Sequence, residues 1–377
     1  MKIALVYDRI NKFGGAERVL MALHEIWPDA PLYTSVYDAK SAPWACDFKI
    51  ITSFLQKFPL ARRNHELFPY LMPIAFESFN FDEYDVVVSV TSEAAKGIIT
   101  KPKTLHICYC LTPTRYLWSG YENYFNGIKG VLGKGLVNYL RSWDLIAAQR
   151  VDCYLSISNT VRERIKKYYK RESEVLSPPV DIDKFRVQSC LSKNKGSSTN
   201  CVNDKVEDDY FLVVSRLVRY KKTDLVVEAF NRMGKNLKIA GVGREFNKLK
   251  IRAGKNIQFL GQLTDEDLLF YYQNCRAVIF PQEEDFGIVP LEAQACGKPV
   301  IAYRAGGARE TVIEGKTGLF FNKQKVEDII EAVGKFERIR GQFKIEDCRN
   351  QAERFAKERF KKKFKELVEK KWKNFQL

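Results

Sequence analysis

Short, uninterrupted apolar runs alternate with helical segments along most of the chain, and this alternation constrains the fold more than any other feature. The first run is Ile3–Tyr7; Gly14-Gly15 then forms a turn signal, and Ala16–Trp27 has the apolar spacing of a helix. Uninterrupted apolar strands are typical of sheets that are buried on both faces. The order therefore predicts an α/β fold built on parallel sheets with helices on each side.

A polar segment interrupts this pattern. Gln188–Asp209 contains almost no large apolar residue and is predicted to be a linker or loop. The alternation of apolar runs and helical segments restarts at Tyr210. This pattern and the length of the chain both fit two domains of ordinary size. The predicted organisation is a Rossmann-like domain over 1–185, a linker over 186–209, a second Rossmann-like domain over 210–357, and a helix of about 358–377 that packs back on the first domain.

The composition limits the class of protein. The formal net charge of +16 favours an anionic partner such as nucleic acid, an acidic membrane surface or a phosphorylated substrate. No stretch reaches the length of a membrane span, and the apolar start lacks a signal-peptide cleavage site, so we expect a cytoplasmic protein. The nine cysteines fit a reducing compartment better than a disulfide framework. The three histidines lie far apart, and neither a metal nor another cofactor is expected.

The C-terminal segment Arg354–Lys373 concentrates this charge, with ten Lys and Arg against three Glu. Two interpretations are open. The helix either packs its apolar stripe on the protein and exposes lysines to water, or it lies on an anionic lipid surface. We favour packing, because a helix with so many aromatic residues usually docks. The stripe comprises Ala356, Phe360, Phe364, Leu367, Val368 and Trp372.

A cluster of cations follows one of the later strands. Arg216 and Lys221 flank a short turn in SRLVRYKKTD, directly after the apolar run YFLVV. Open α/β sheets bind ligands at the carboxyl ends of their strands, and a guanidinium with an ammonium group suits a phosphate. The turn is thus either an anion-binding site or a solvated basic loop.

Glycines follow two other strands. Gly14-Gly15 comes after the first strand, whereas Gly241 and Gly243 come after NLKIA. A glycine in this position lets the backbone approach a ligand, but it also permits a tight turn between strand and helix. Neither pair completes a G-x-G-x-x-G motif, so each pair taken alone favours the structural role.

The stretch FPQEEDFGIVPLEAQACGKPVIA places Glu284 and Glu292 eight positions apart. Gly287 and Pro290 predict a helix that begins near Ile288. The amides of its first turn attract an anion, and carboxylates on either side can accept hydrogen bonds from sugar hydroxyls. Taken alone, Glu292 is equally explained as an acid that complements the helix dipole.

Together, these segments resemble the retaining glycosyltransferases of family 4, which have the GT-B architecture. The resemblance spans nearly the whole chain and is strongest from Tyr210 to Phe321, where Glu284 and Glu292 match the E-x7-E signature. Within the family, the chain is most similar to the bacterial surface-polysaccharide mannosyltransferase-like subgroup. The resemblance implies two Rossmann-like domains that face each other across a cleft, with the acceptor on the first and the nucleotide sugar on the second.

The resemblance also implies a role for each candidate residue. Arg216 and Lys221 would hold the donor diphosphate, Glu284 would face the donor sugar, and Glu292 would hold the ribose. We count Glu284, Arg216 and Lys221 as catalytic. The other donor-binding residues that the resemblance implies are Gly14, Gly15, Gly243, Phe286, Gly287, Ile288 and Val289.

Two positions depart from the family pattern. Leu111, in HICYCLTPTRYLW, stands where members of the subgroup often have a histidine before Thr-Pro. A polar contact near the donor sugar or the acceptor is therefore missing. Lys222 stands where many relatives have Gly or Arg, and we expect little consequence.

The implied reaction transfers a hexose from GDP-mannose or a UDP-hexose to a lipid-linked or saccharide acceptor in cell-surface polysaccharide biosynthesis. It is expected to retain the anomeric configuration and to need no metal ion, because cations and helix amides stabilise the departing diphosphate. An anionic membrane surface is a further partner that suits the net charge; nucleic acid is not an expected partner.

Three other interpretations of the sequence remain open. Asp181 and Asp183 have the D-x-D spacing of a metal-dependent transferase, but their place at the domain junction favours a linker role. A GT-B-fold nucleotide-sugar epimerase would need acid–base groups in the first domain, and the scarcity of histidine argues against it. A basic nucleic-acid-binding protein would bind in a salt-sensitive way, yet the sequence has no recognition motif of the usual kinds.

Overall fold

The computed structural model describes residues 1–121, 128–185 and 209–376. The chain forms two compact units: unit 1 comprises Met1–Pro179 and Lys357–Leu377, and unit 2 comprises Val180–Ala356. Each unit has its own parallel sheet, so the predicted α/β class with two parallel-sheet domains is confirmed. Apart from Asp209, the predicted linker lies outside the described residues.

Seven parallel strands form the sheet of unit 1: Ile3–Tyr7 (β1), Leu32–Thr34 (β2), Ile50–Thr52 (β3), Val86–Thr91 (β4), Leu105–Cys110 (β5), Cys153–Ser156 (β6) and Glu174–Val175 (β7). Their spatial order is β3-β2-β1-β4-β5-β6-β7, so the direction of winding reverses between β1 and β4. Every residue of β1, β4 and β5 is buried, as their uninterrupted apolar sequences predict. The sequence did not reveal β3, which is three residues long and only half-buried.

Within the described residues, the helices of unit 1 before its C-terminal segment are Gly15–Ile26 (α1), Met72–Glu77 (α2), Ile128–Gln149 (α3) and Asn159–Tyr169 (α4). After β4 the chain makes only a short 3-10 turn, at Ala95–Gly97. The Asp8 carboxylate accepts the backbone amides of Ser92 and Ala95 at 2.8 and 2.9 Å and holds this segment as a tight loop.

Six parallel strands form the sheet of unit 2: Phe211–Val214 (β8), Leu237–Ala240 (β9), Ile257–Gly261 (β10), Val278–Phe280 (β11), Val300–Tyr303 (β12) and Gly318–Phe321 (β13). The spatial order is β10-β9-β8-β11-β12-β13. The chain winds outward from β8 to β10 and then returns to place β11 on the other side of β8. The winding therefore reverses between β8 and β11, which are neighbours in the sheet.

The helices of unit 2 are Thr223–Met233 (α5), Phe246–Arg252 (α6), Asp265–Asn274 (α7), Ile288–Ala295 (α8), Ala308–Thr311 (α9), Val326–Ile339 (α10) and Ile345–Glu353 (α11). Helix α5 packs its apolar side on the sheet because Val226, Val227 and Phe230 fall on one face. The ring of Phe211 lies 5.4 Å from that of Phe230 and 5.9 Å from that of Phe336, which fixes α5 and α10 to the same side of β8.

The C-terminal helix Lys357–Phe375 (α12) belongs to unit 1. Three members of its apolar stripe, Phe360, Phe364 and Val368, are buried. The Phe364 ring lies 5.6 Å from Tyr109 of β5 and 6.0 Å from Trp27, at the end of α1. The stripe thus packs on the protein. Within the described residues, no helix combines the length and the apolar content needed to cross a bilayer.

Candidate functional site

The candidate site of unit 2 lies where the winding of the chain through its sheet reverses, between β8 and β11. Strands β8 and β11 are parallel neighbours, so the loops that follow them, residues 215–222 and 281–287, leave the same edge of the sheet. In open α/β sheets this reversal point opens a crevice beyond the carboxyl ends of the strands, and ligands bind there. The two sequence stretches that carry the candidate cations and acids therefore meet by topology, although they lie far apart in the sequence.

The loop after β8 contains the basic turn, a 3-10 turn over Arg219–Lys221. Arg216 is exposed, and its Nη2 donates a hydrogen bond to the Tyr220 hydroxyl at 2.9 Å. Lys221 is only 8% exposed, an uncommon environment for an ammonium group unless a partner compensates its charge. The two predicted cations thus differ in setting, since Arg216 is open to solvent and Lys221 is enclosed.

The partner of Lys221 is Glu284. The ammonium Nζ of Lys221 donates to Oε1 of Glu284, and the Nε2 of Gln282 donates to the same oxygen at 3.1 Å. Gln282 is 1% exposed, and its Oε1 has no hydrogen-bond partner among the described residues. The structure therefore brings two of the three predicted catalytic residues into direct contact and adds Gln282, which sequence reasoning missed.

Gly241 and Gly243 support the basic turn by close packing. A Cβ at Gly241 would lie 1.9 Å from the carbonyl oxygen of Ser215, and one at Gly243 would lie 2.2 Å from that of Leu217. Gly241 also has φ of +137°, which L side chains rarely adopt. Both glycines let the loop after β9 touch the loop after β8, which is a packing requirement that explains them without a ligand.

A second pair of glycines holds the acidic loop, and sequence reasoning missed their role. The amide of Gly307 donates to the carbonyl of Glu284 at 2.8 Å. A Cβ at Gly306 would lie 2.2 Å from that carbonyl oxygen, and one at Gly307 would lie 2.0 Å from the carbonyl oxygen of Phe286. The motif YRAGG after β12 was visible in the sequence, but nothing in it indicated which loop it contacts.

Helix α8 begins at Ile288, as Gly287 and Pro290 predict. Gly287 precedes it with φ of +93°, a conformation that favours glycine. Phe286 and Gly287 are buried, whereas Ile288 and Val289 are half-buried. The first-turn amides of α8 therefore lie next to the acidic loop, where the positive end of the helix dipole favours an anion.

Glu292 lies in a different environment from Glu284. It sits further along α8, is 4% exposed, and its Oε2 accepts a hydrogen bond from the Tyr272 hydroxyl at 2.9 Å. Burial, reinforced by the Glu292 carboxylate, raises the pKa of Tyr272 well above its usual value, so the phenol stays a donor. Tyr272 belongs to α7, and nothing in the sequence indicated this pairing.

The predicted donor residues of unit 1 lie at the reversal of its own sheet. Gly14 lies in the loop after β1, and Gly15 is the first residue of α1; Gly14 has extended backbone, and a Cβ there would lie 3.2 Å from Oε2 of Glu17. The neighbouring Asp8 is fully buried, and the loop after β4 donates several hydrogen bonds to it. Leu111 follows β5 and donates its amide to the carbonyl of Thr91 at 2.8 Å.

The D-x-D pair lies in a packed segment. Asp183 starts a 3-10 turn that ends at Phe185, whose ring lies 5.7 Å from that of Tyr272. The Sγ of Cys296 donates to the carbonyl of Phe185 at 3.4 Å, which ties this segment to the end of α8. Across residues 1–121, 128–185 and 209–376, no group of three or more His, Cys, Asp or Glu side chains is arranged to hold a metal ion.

Sequence comparisons show what this part of the chain is similar to. Residues 200–359 match the family model of the glycosyl transferases group 1, a range that contains the basic turn, the acidic loop and α8. Related proteins include an uncharacterized glycosyltransferase of Methanocaldococcus jannaschii, 29% identical over 54% of this chain and 61% of its own length. An alpha-1,3/1,6-mannosyltransferase of Dictyostelium discoideum is 27% identical over 68% of each chain.

A third relative is the GDP-mannose-dependent alpha-(1-6)-phosphatidylinositol monomannoside mannosyltransferase of Mycolicibacterium smegmatis. It is 33% identical over 43% of this chain and 46% of its own length. The matches to these three relatives therefore span about half to two thirds of their lengths.

Solved structures resemble the whole described fold. Anabaena HepE in complex with UDP superposes with a TM-score of 0.72 at 18% identity and covers 98% of this chain and 100% of its own. Sucrose-phosphate synthase from Thermosynechococcus elongatus gives a TM-score of 0.75 at 16% identity over 99% and 100% of the two chains. At such identities the likeness shows the fold alone. Residues 200–359 thus match a glycosyltransferase group 1 domain, the fold is that of the GT-B glycosyltransferases, and mannosyltransferases are among the similar proteins.

Proposed function

We propose that this protein is a retaining hexosyltransferase that uses a nucleotide sugar as donor, with GDP-mannose as the first candidate and a UDP-hexose as the second. The observation that carries the proposal is the contact between Lys221 and Glu284 at the reversal of the unit 2 sheet. A cation and an acid side by side match a donor that has phosphates at one end and sugar hydroxyls at the other.

Arg216 and Lys221 are proposed to bind the donor diphosphate. When the bond between the anomeric carbon and the phosphate oxygen breaks, negative charge builds up on the leaving diphosphate. A guanidinium, an ammonium and the first amides of α8, from Phe286 to Val289, stabilise that charge where it develops. These groups supply positive charge from the protein itself, and we therefore propose transfer without a metal ion.

The two acids are proposed to bind the hydroxyls at either end of the donor. Glu284 positions the sugar, because its loop carries it to the edge of the sheet beside Lys221. Glu292 binds the ribose, exchanging or sharing the hydrogen bond that Tyr272 now donates to it. Gly14-Gly15 is proposed to bind donor phosphates through its backbone, and Gly243 to support the basic turn from behind.

The acceptor is proposed to be a lipid-linked or saccharide hydroxyl in the assembly of a cell-surface polysaccharide. The hydroxyl attacks the anomeric carbon from the face that the diphosphate leaves, a phosphate oxygen takes its proton, and the configuration is retained. The names of the two mannosyltransferase relatives support mannose as the transferred sugar, and one of those relatives is GDP-mannose-dependent.

A thermal-shift screen of GDP, UDP and ADP with the full chain tests the donor class. A nucleotide that binds the folded state raises the melting temperature by mass action, and one of the three should do so clearly more than the others. Arg216→Ala should abolish that shift. Arg219→Ala is the matched control, because this neighbouring cation instead lines a hollow beside Glu245 and Lys248. The proposal is overturned if no nucleotide raises the melting temperature and if Arg216→Ala behaves like the unaltered protein.

Turnover separates a transferase from an epimerase. The preferred nucleotide sugar should stay unchanged in the absence of an acceptor, apart from slow hydrolysis, and its sugar should move to a saccharide or lipid-linked acceptor when one is added. Interconversion of the sugar without an acceptor, followed by chromatography, would identify an epimerase instead. The anomeric proton coupling of the product, measured by NMR, decides between retention and inversion.

A further inference from the structure

Unit 1 exposes several large apolar side chains within one short segment. Five side chains between residues 58 and 74 are each 38% to 59% exposed. A single exposed leucine is normal on a protein surface, but a cluster of this size marks an interaction site. We call these residues the outer row: Phe58, Leu60, Leu67, Tyr70 and Ile74.

The outer row belongs to one short segment of successive turns. The segment contains a 3-10 turn at Phe54–Lys57, another at His65–Leu67, and then α2. Other apolar residues of the same segment belong to the core of unit 1, so the segment is anchored while the outer row stays exposed. These core residues are Leu55, Ala61, Met72, Ala75 and Phe76.

Cations accompany the outer row. Lys57, Arg62 and Arg63 are all exposed, against a single glutamate between residues 57 and 74. The Nε of Arg62 donates to the carbonyl of Gln56 at 3.2 Å, which fixes the start of this side chain at the surface. Arg63 lies 3.8 Å from Asp38, yet its side chain is 73% exposed, so its charge is available to an external anion.

The C-terminal helix does not offer the same combination. A helix that binds a bilayer surface needs an apolar face to insert, but Phe360, Phe364 and Val368 of α12 are buried in unit 1. The exposed positions of α12 are mainly Lys and Glu. This helix therefore contributes positive potential, whereas the outer row provides both charge and insertable apolar side chains.

We propose that the outer row and its three cations form a docking surface for an anionic lipid bilayer. Leucine, isoleucine and aromatic side chains enter the boundary between headgroups and acyl chains, while Lys57, Arg62 and Arg63 meet acidic headgroups. A nucleic acid would use the cations but not the exposed leucines. A second copy of the chain, docked by the same face, would bring like charges together.

Vesicle sedimentation with the full chain tests the proposal. Binding is expected to vesicles of phosphatidylcholine mixed with phosphatidylglycerol, to weaken with added salt, and to be much lower for phosphatidylcholine alone. Arg62→Gln with Arg63→Gln should reduce the partition coefficient by about fivefold per cation. Leu67→Ser with Ile74→Ser should reduce it further, through lost insertion. All four positions are exposed, so the melting temperature should stay unchanged.

Matched controls use exposed residues elsewhere. Ile251→Ser removes a side chain of unit 2 that is 85% exposed, and Lys362→Gln with Lys363→Gln removes two exposed cations of α12. Vesicle binding by both controls should stay within twofold of the unaltered protein. The proposal fails if no mixed vesicles bind, or if the α12 variant loses as much binding as the outer-row variants. It also fails if gel filtration shows a dimer that Leu67→Ser dissociates. Donor binding by unit 2 is measured separately, so this outcome does not depend on the proposed transfer reaction.

Discussion

Lys221 and Glu284 are 63 residues apart in the sequence and form an ion pair. They meet where the winding of the chain through the unit 2 sheet reverses. Lys221 is buried there, so its charge is compensated by the acid before any anion arrives. A donor diphosphate would have to share or replace that acid. Substitutions of the two residues therefore test the proposed roles. The affinity for the nucleoside diphosphate should rise when Glu284 is neutralised and fall when Lys221 is.

Glu284→Gln should raise the affinity for the nucleoside diphosphate product and lower the rate of sugar transfer. The neutral side chain no longer competes with phosphate for Lys221, and relief of one close charge pair is worth about tenfold or more in the dissociation constant. Lys221→Met should weaken the same binding. Isothermal titration with the diphosphate measures both, and Glu283→Gln, an exposed acid of the same loop, is the control. Weaker binding by Glu284→Gln would contradict the proposed arrangement.

Glu292→Ala should discriminate between a nucleotide and its phosphates. If this carboxylate binds the ribose, the variant loses about tenfold or more in affinity for the nucleoside diphosphate, since a hydrogen bond to a charged group is worth roughly 1.5–3 kcal/mol. Its affinity for inorganic pyrophosphate should not change. Arg216→Ala should weaken both ligands. Equal losses for nucleotide and pyrophosphate in Glu292→Ala would mean that the substitution acts through the fold of α8 rather than through the ribose.

Tyr272→Phe provides the structural counterpart of that experiment. The substitution removes the donor to a buried carboxylate, and we expect a loss of about 1–3 kcal/mol in the free energy of unfolding. Tyr303→Phe, at a half-buried tyrosine of the same unit, should cost less than about 0.5 kcal/mol. Urea unfolding followed by circular dichroism measures both. A cost for Tyr272→Phe no larger than that for Tyr303→Phe would show that the hydrogen bond is unimportant to the fold.

Lys222 departs from the family pattern, and the structure gives that departure a stability cost. Its φ is +56°, in the left-handed region that favours glycine, and Lys170 at the end of α4 shares this value. Lys222→Gly and Lys170→Gly should therefore each be neutral or stabilise the protein by up to about 1 kcal/mol. Lys363→Gly, inside the exposed side of α12, should instead destabilise it by about 1 kcal/mol. Differential scanning calorimetry ranks the three, and a destabilised Lys222→Gly would contradict this account.

The sequence carried the fold class because its signals are local. Uninterrupted apolar strands, a glycine turn after β1 and a Gly-Pro start for α8 each act within a few residues, and the structure has these elements. Contacts between residues that are distant in the sequence could not be predicted in the same way. The Tyr272 partner of Glu292, the Gln282 contact to Glu284 and the support of that loop by Gly306-Gly307 depend on which loops share an edge of the sheet. The outer row could not be predicted, because periodicity does not distinguish an apolar residue that is buried from one that is exposed.

His106 predicts how the stability of unit 1 depends on pH. It is fully buried in β5, its Nε2 lies 2.7 Å from the Ser89 hydroxyl, and burial lowers the pKa of its imidazole to about 3. In the unfolded chain the pKa is near 6.5, so only the unfolded state gains a proton between these values. Its contribution is complete above about pH 6.5 and is lost as the pH falls from there toward 3. One such histidine costs about 1.4 kcal/mol between roughly pH 7.5 and 5.5.

Replacing this histidine should remove its share of the pH dependence. Burial, with Arg9 and Lys12 nearby, also lowers the pKa of His65 to about 3, so the unaltered protein should lose about twice the single-site amount. His106→Gln keeps a nitrogen for Ser89 but cannot titrate. Its free energy of unfolding is expected to be lower at neutral pH because the core is altered, yet to fall less steeply on acidification, by about 1.4 kcal/mol over the same interval. Parallel curves for the two proteins would show that His106 is protonated in the folded state.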